Sequence, residues 1–351
     1  MDTHNTKIIY LRNEISINEF RTALIPLHVK KLVELGYTVY IESSIHRIYS
    51  NNEYEHNGGL ITTKEWHDEK FKNALIVGLK DFKNIEYLDK HTHIYFSHSY
   101  KNQENSDDIL SMFKKSDSII YDFEYFTDED NSRLVSFGFY AGIVGCILGL
   151  LQYQNKIINN KNISNLRPFE SLSSIINIIN KYDYSNIKIC IIGVSNMKFK
   201  NGLCSNGVKY ILNDLNIEYT TFGRQDNKRN LESFDIIFNC INLDINYNEI
   251  WFDDNINYYK YNLIVDISCD YSKPNNPIKI YDKNTTWYEP VYTYNNIVDI
   301  IAINNLPSLL PKESSEDFSC GFLNLLVNKD YYKYWNKNKN IYTKIITNYN
   351  L

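Results

Sequence analysis

The sequence predicts an α/β chain of two doubly wound domains with a cleft between them, the second domain inserted into the first. Three observations predict it. At 351 residues the chain exceeds what one hydrophobic core usually organises. Two separate series of short apolar runs alternate with helix-like segments, which is the pattern of parallel sheets. A polar connection, NKIINNKNISN, divides the two series. The first domain is assigned residues 1–140 and 317–351, and the second residues 141–316.

The elements follow in order. KIIYLRNE reads as a strand, residues 27–35 as a short amphipathic helix led in by Pro26, and TVYIES as the next strand. ALIVGLK, HIYFSHS and SIIYDFEYF are three further apolar runs that end in polar residues. In a parallel sheet, functional groups collect at the carboxyl ends of the strands. Those ends carry Arg12 with Glu14, Lys80, His98, and Asp122 with Glu124. The stretch FGFYAGIVGCILGLL is a helix rich in small residues, suited to close packing where two domains join. IKICIIG, IEYTTFG, DIIFNCIN and LIVDISCD are the strands of the second, Rossmann-like series, and NGVKYILNDLN is its first helix. The Asn- and Lys-rich end spaces Tyr and Ile as a helix docked on the body does, and the tail is expected to complete the first domain.

Composition excludes several classes. With 43% apolar and 23% charged residues the chain can bury two ordinary cores, and a net charge of −5 leaves no basic footprint for nucleic acid. The six cysteines are dispersed, with no CxxC pair and no Cys/His cluster of zinc spacing. No metal is expected, and most of the cysteines read as buried thiols. The N-terminus lacks the apolar core of a signal peptide, and residues 137–151 are too short and glycine-interrupted to span a bilayer. A cytoplasmic protein acting on small molecules is expected, with no membrane and no obligate protein partner.

Three constellations carry chemistry. In the second domain Gly193 ends a strand, Gly202 follows after eight intervening residues, and Gly207 opens the helix. A dinucleotide loop uses glycine for its tight bend and for backbone approach to pyrophosphate, normally with one residue between the first two. At the end of the next strand Gly223 and Arg224 replace the usual acid, which points from NAD toward the 2′-phosphorylated NADP. A solvated basic loop is the competing reading of that arginine. In the first domain, Lys80 and His98 each follow a strand, and all eight histidines lie at or before residue 98. A desolvated lysine and a histidine are the groups that imine chemistry needs for proton transfer. Arg21, Lys101 and Arg133 could grip substrate carboxylates, with Glu19, Asp122 and Glu124 to hold an ammonium or orient the bases. Taken singly, each of these is also an ordinary surface ion pair.

Taken in order, the segments NEFRTALIP, GLKD, FSHSYK, IIYDFEYF, RLVSFGFYAG, FNCINL, VDISCD, NNPIKIY and LPSLLPKESSEDFS resemble the lysine-forming saccharopine dehydrogenases. These are relatives of alanine dehydrogenase and the transhydrogenase N-terminal domain. The resemblance runs over nearly the whole chain. It implies hydride transfer between NAD and the secondary amine of saccharopine, then imine hydrolysis to lysine and 2-oxoglutarate. It places Lys80 and His98 on the acid–base pair. Arg21 and Arg133 fall on carboxylate-binding or cleft positions, Glu19 and Glu124 on acids that tune the site, and Cys204 on a cysteine of the glycine loop. The chain departs from the pattern at Ser16 for a lysine, at Ser205 for a glycine, and at Gly223 for the cofactor acid. Asn304, on the cofactor side, and Asn305 replace an Asp–His pair. The disturbed loop favours a non-enzymatic binding or regulatory descendant of the family. The retained Lys80, His98, Arg21 and Arg133 favour the oxidoreductase, and LPSLLP with SHSYK argues against an alanine-dehydrogenase-like deaminase.

Overall fold

The computed structural model describes residues 7–101, 106–193, 203–223, 226, 231–243, 249–253 and 262–349. The chain divides into two compact units, Met1–Ser136 with Pro311–Leu351, and Phe137–Leu310. The boundaries expected at 140 and 317 fall inside continuous helices, Gly138–Asn159 and Pro311–Val327, so the chain divides a few residues earlier at each.

In the first unit the elements run β1 (Ile8–Leu11), α1 (Pro26–Glu34), β2 (Thr38–Glu42), α2 (Asn51–His56), β3 (Leu60–Thr62), β4 (Leu75–Val77), β5 (Thr92–Tyr95), α3 (Ser106–Lys115) and β6 (Ile119–Asp122). The strands form a parallel sheet in the order β3-β2-β1-β4-β5-β6. The order reverses between β1 and β4. In open α/β sheets that reversal opens a crevice beyond the strand ends, where ligands are bound.

The second unit contains α4 (Gly138–Asn159), α5 (Leu172–Ile179), β7 (Ile189–Ile192), α6 (Leu203–Asp214), β8 (Thr220–Phe222), β9 (Ile236–Asn239), β10 (Asn262–Asp266), β11 (Tyr292–Tyr294) and β12 (Val298–Ile301). Its sheet runs β11-β12-β10-β9-β7-β8, parallel except for the β11 edge. Every apolar run singled out in the sequence is a strand. The fold class is α/β with two doubly wound, Rossmann-like sheets.

The glycines of α4 serve a purpose other than the one expected. They face α6 and the sheet of their own unit. A Cβ on Gly142 would stand 1.9 Å from the Cys204 carbonyl oxygen, and one on Gly149 2.8 Å from the Phe238 ring.

The chain then returns to the first unit through α7 (Pro311–Val327) and α8 (Tyr332–Asn348). The tail is a docked helix, with Tyr334, Trp335, Asn338 and Tyr342 buried. The Asn338 side chain brackets the end of β6, donating to the Asp122 carbonyl at 2.8 Å and accepting the Asp122 N–H at 3.2 Å. Among the described residues, no helix is long and apolar enough to cross a membrane.

Candidate active site

The carboxyl edge of the first sheet gathers the charged residues. β1 pairs with β4, β4 with β5, and β5 with β6. The residues that follow those strands therefore stand side by side. Arg12 and Glu14 follow β1, Lys80 follows β4, His98 follows β5, and Glu124 follows β6.

Lys80 is half-buried. Its N–H donates to Glu14 Oε2 at 3.0 Å, and its carbonyl accepts from Arg12 Nη2 at 2.8 Å. Burial, then the nearby Arg21 guanidinium, pushes its ammonium below the usual lysine range, while Glu19, Glu14 and Asp81 pull the other way. The direction is what a proton acceptor requires: desolvation and a like charge both favour the neutral amine.

Glu19 and Arg21 form a buried pair. Arg21 Nε donates to Glu19 Oε1 at 2.7 Å and Nη2 to Oε2 at 2.5 Å, with the side chains 4% and 1% exposed. Burial raises the Glu19 carboxyl, but the Arg21 charge and hydrogen bonds outweigh it and hold the pKa below the usual carboxylate range. The loop carrying this pair is pinned from α7. Ser315 Oγ accepts the Thr22 N–H at 3.0 Å, Ser319 Oγ accepts the Ile25 N–H at 3.0 Å, and Ser319 also bonds His28 Nδ1 at 2.7 Å. These serines lie four apart, on one face of a helix. Sequence reasoning assigned them nothing. The signal was there, in a serine-rich face within an otherwise ordinary amphipathic helix.

His98 sits in a left-handed conformation (φ 52°), stacks on Phe96 at 6.2 Å, and stands 3.9 Å from Glu124 Oε1 through Nδ1. The same oxygen accepts from Arg133 Nη2 at 2.9 Å. Glu124 thus links the histidine to the arginine. Asp122 sets the spacing between them: fully buried, it accepts the Glu124 N–H at 2.9 Å and the Ser97 hydroxyl at 2.8 Å. Lys101 closes the turn Ser99–Lys101, and its side chain lies outside what is described.

In the second unit Gly193 ends β7 where the strand order reverses. Its φ is +88°, and a Cβ there would meet Ile241 N at 2.6 Å, so only glycine makes this turn. A turn this tight is what the first glycine of a dinucleotide loop provides. Gly207 is buried where α6 crosses α4, and a Cβ would stand 2.0 Å from the Phe139 carbonyl oxygen. Its place is in close helix–helix packing. Cys204 is half-buried in the first turn of α6, beside the fully buried Ser205. Gly202 and Arg224 lie outside the described residues.

Residues 10–144 match the family model "Alanine dehydrogenase/PNT, N-terminal domain". A Schizosaccharomyces pombe protein named saccharopine dehydrogenase [NAD(+), L-lysine-forming] is 31% identical over 349 residues, covering 92% of this chain and 93% of that one. The chain belongs to the lysine-forming saccharopine dehydrogenase family.

A saccharopine dehydrogenase of the same printed name from Candida glabrata is 30% identical, covering 89% of this chain and 88% of its own. The fold extends further: the solved structure of an L-alanine dehydrogenase superposes with a TM-score of 0.66 at 14% identity, over 96% of this chain and 94% of that one. For a saccharopine dehydrogenase, two departures noted in the sequence take a definite form here. Asn305 accepts the Trp287 indole N–H through Oδ1 at 2.9 Å, and Asn304 is exposed on the turn beside it. At the Gly223 position, Asp226 turns back and accepts the Gly223 N–H at 2.6 Å. A carboxylate therefore does stand at the end of β8.

Proposed function

We propose that this chain catalyses the reversible, NAD-dependent oxidative cleavage of saccharopine to lysine and 2-oxoglutarate, with Lys80 and His98 as its acid–base groups. The first unit supplies the substrate and proton-transfer residues, and the second holds the dinucleotide at Gly193. One observation carries the mechanism. Lys80, with its ammonium pushed down by burial, stands at the strand-order reversal beside the charges of Glu14, Glu19, Arg21 and Asp81.

In the oxidative direction Lys80 takes the proton from the secondary amine nitrogen. A nicotinamide held at Gly193 would supply the acceptor for the hydride on the carbon beside that nitrogen. His98, whose side chain is 38% exposed, is open to water and deprotonates the molecule that adds to the imine carbon. Once His98 has released its first proton to solvent, collapse of the carbinolamine returns the Lys80 proton to the departing lysine nitrogen while His98 accepts the hydroxyl proton, leaving the keto acid. The balance is saccharopine, water and NAD⁺ to lysine, 2-oxoglutarate, NADH and a proton. The Arg133 guanidinium, 40% exposed, and that of Arg21, oriented by Glu19, face the substrate carboxylates.

The relatives are named for NAD(+), and the Asp226 carboxylate at the end of β8 suits a free ribose hydroxyl better than a 2′-phosphate. Both support NAD, so the lean toward NADP drawn from Arg224 is set aside. Incubation with saccharopine and either oxidised cofactor, followed by the absorbance of the reduced nicotinamide, tests the proposal. Turnover with saccharopine that prefers NAD is expected. A protein that binds NAD but reduces none of it at millimolar saccharopine would be the non-enzymatic descendant instead.

A further inference from the structure

We infer that Arg12 and Glu14 are positioning residues for Lys80: the end of β1 grips the Lys80 peptide from both sides and sets where its side chain starts. The inference rests on the reading of Lys80 as an acid–base group and extends it to two residues whose side chains bond the Lys80 backbone.

The β1–β4 ladder ends where the Arg12 N–H donates to the Val77 carbonyl at 2.8 Å. Beyond that point side chains take over. Glu14 spans two successive amides, accepting the Leu79 N–H at 2.7 Å through Oε1 and the Lys80 N–H at 3.0 Å through Oε2. Arg12 donates to the carbonyl of Lys80, 68 residues further along the chain, at 2.8 Å. From the other neighbouring strand, the Phe96 N–H donates to the Leu79 carbonyl at 3.2 Å. The Lys80 peptide is thus held at both its N–H and its C=O. A lysine side chain has four rotatable torsions, so a mobile backbone would multiply the places its amine could occupy.

The clamp is itself braced. Arg47 Nη2 donates to the Arg12 carbonyl at 3.0 Å, and Glu42 accepts the Asn13 N–H at 2.7 Å. The Arg12 guanidinium is buried over the Phe82 ring at 4.6 Å, and it crosses Gly78 so closely that a Cβ there would stand 2.0 Å from Nη2. Burying a guanidinium and a carboxylate at a strand end is costly when neutral groups could cap the same amides. The charged choice also acts on the Lys80 amine. Among the groups facing it, Glu14, Glu19 and Asp81 favour its protonated form and Arg21 opposes it.

The test is a set of three double-mutant cycles on the full chain with saccharopine and NAD. Glu14→Gln, Glu14→Asp and Arg12→Lys are each made alone and with Lys80→Met, and kcat is followed against pH. Misplacing a reacting group by about 1 Å costs on the order of 10- to 100-fold, so each single variant should lose roughly that in kcat, with dinucleotide affinity kept within about twofold. Glu14→Gln should also move the lysine limb of the profile to lower pH, whereas Glu14→Asp, which keeps the charge, should not. On the Lys80→Met background each further change should cost less than about twofold.

Equal losses with and without Lys80, or single variants with wild-type kcat and pH profile, would overturn the inference. So would loss of folding in all three, since the clamp would then serve the fold alone. Should only Glu14→Gln fail to fold, the Arg12→Lys cycle decides. A Lys80→Met protein that itself keeps wild-type turnover would instead overturn the acid–base reading, an outcome that involves neither Arg12 nor Glu14.

Discussion

Replacing Glu19 by glutamine removes the charge from a pair that is almost wholly out of water. Arg21 donates to this carboxylate through Nε, Nη2 and its backbone N–H, at 2.7, 2.5 and 3.2 Å. Breaking a buried pair by removing one partner typically costs about 3–5 kcal/mol, because the other charge is left uncompensated. Glutamine keeps one acceptor oxygen, so the lower end, about 3 kcal/mol, is expected for Glu19→Gln. That is roughly a 150-fold change in the folding equilibrium of the first unit. Urea unfolding followed by tryptophan fluorescence reads it, since Trp66 and Trp335 lie in that unit. The double variant Glu19→Gln with Arg21→Met should be more stable than Glu19→Gln alone, because it removes the stranded charge. The sign of the pH dependence provides a second check. The folded pKa of Glu19 is depressed, so its contribution is full above the unfolded carboxylate range and is lost as pH falls through the folded value. Glu19→Gln should flatten that acid limb. A Glu19→Gln protein within about 0.5 kcal/mol of wild type, or strictly additive losses in the double variant, would refute the reasoning.

Three further outcomes are expected. Lys80→Met and His98→Gln should each lower kcat by ~10²–10⁴-fold with dinucleotide affinity nearly unchanged, and the double variant should lose less than the product. Steady-state kinetics and fluorescence titration check both. Arg133→Met should raise the KM for 2-oxoglutarate in the amine-forming direction and leave NADH binding intact, whereas joint loss would mark a structural pair with Glu124. Finally, His93 is fully buried against Phe82 and Trp66, at 4.4 and 4.8 Å, and burial holds its pKa well below the usual histidine value. Its depressed pKa means stability falls as pH drops below about 6.5, the unfolded value. Chemical denaturation between pH 7 and 5 should show that slope, reduced in His93→Phe, with His91 and His28 carrying the remainder.

Much of the fold was legible in the chain because strand and helix periodicity are local. ICII, IIFN and NLIVD are apolar but for strand-end Asn239, Asn262 and Asp266, and all three are central strands with every residue buried. The polar residues just after such runs mark the sheet edge, so Lys80, His98 and Glu124 could be named as candidates. The histidines show where the local signal stops. His91, His93 and His98 stand within eight positions of one another, yet only packing separates them. His93 has no hydrogen-bond partner at either ring nitrogen and lies among aromatic rings, whereas His98 turns out at a left-handed residue to meet Glu124. The end of β8 read as lacking an acid, with Gly223 and Arg224 in its place, because the turn that brings Asp226 back onto the Gly223 N–H is not visible in the local register.

By itself, then, the sequence determined the strand runs, the two series they fall into, the family they match in order, and the charged residues at their carboxyl ends. Hydrophobic period and chain order are properties of neighbouring residues. Tertiary structure alone decided that β4 lies against β1 rather than β3, and this is what puts Arg12 and Glu14 on the Lys80 peptide. It also decided that two serines of α7, more than 290 residues along the chain from their partners, hold the loop of Glu19 and Arg21. The reason is physical: a backbone N–H withdrawn from water is matched by whichever acceptor the packing brings within hydrogen-bond reach, and sequence separation sets no limit on where that partner comes from.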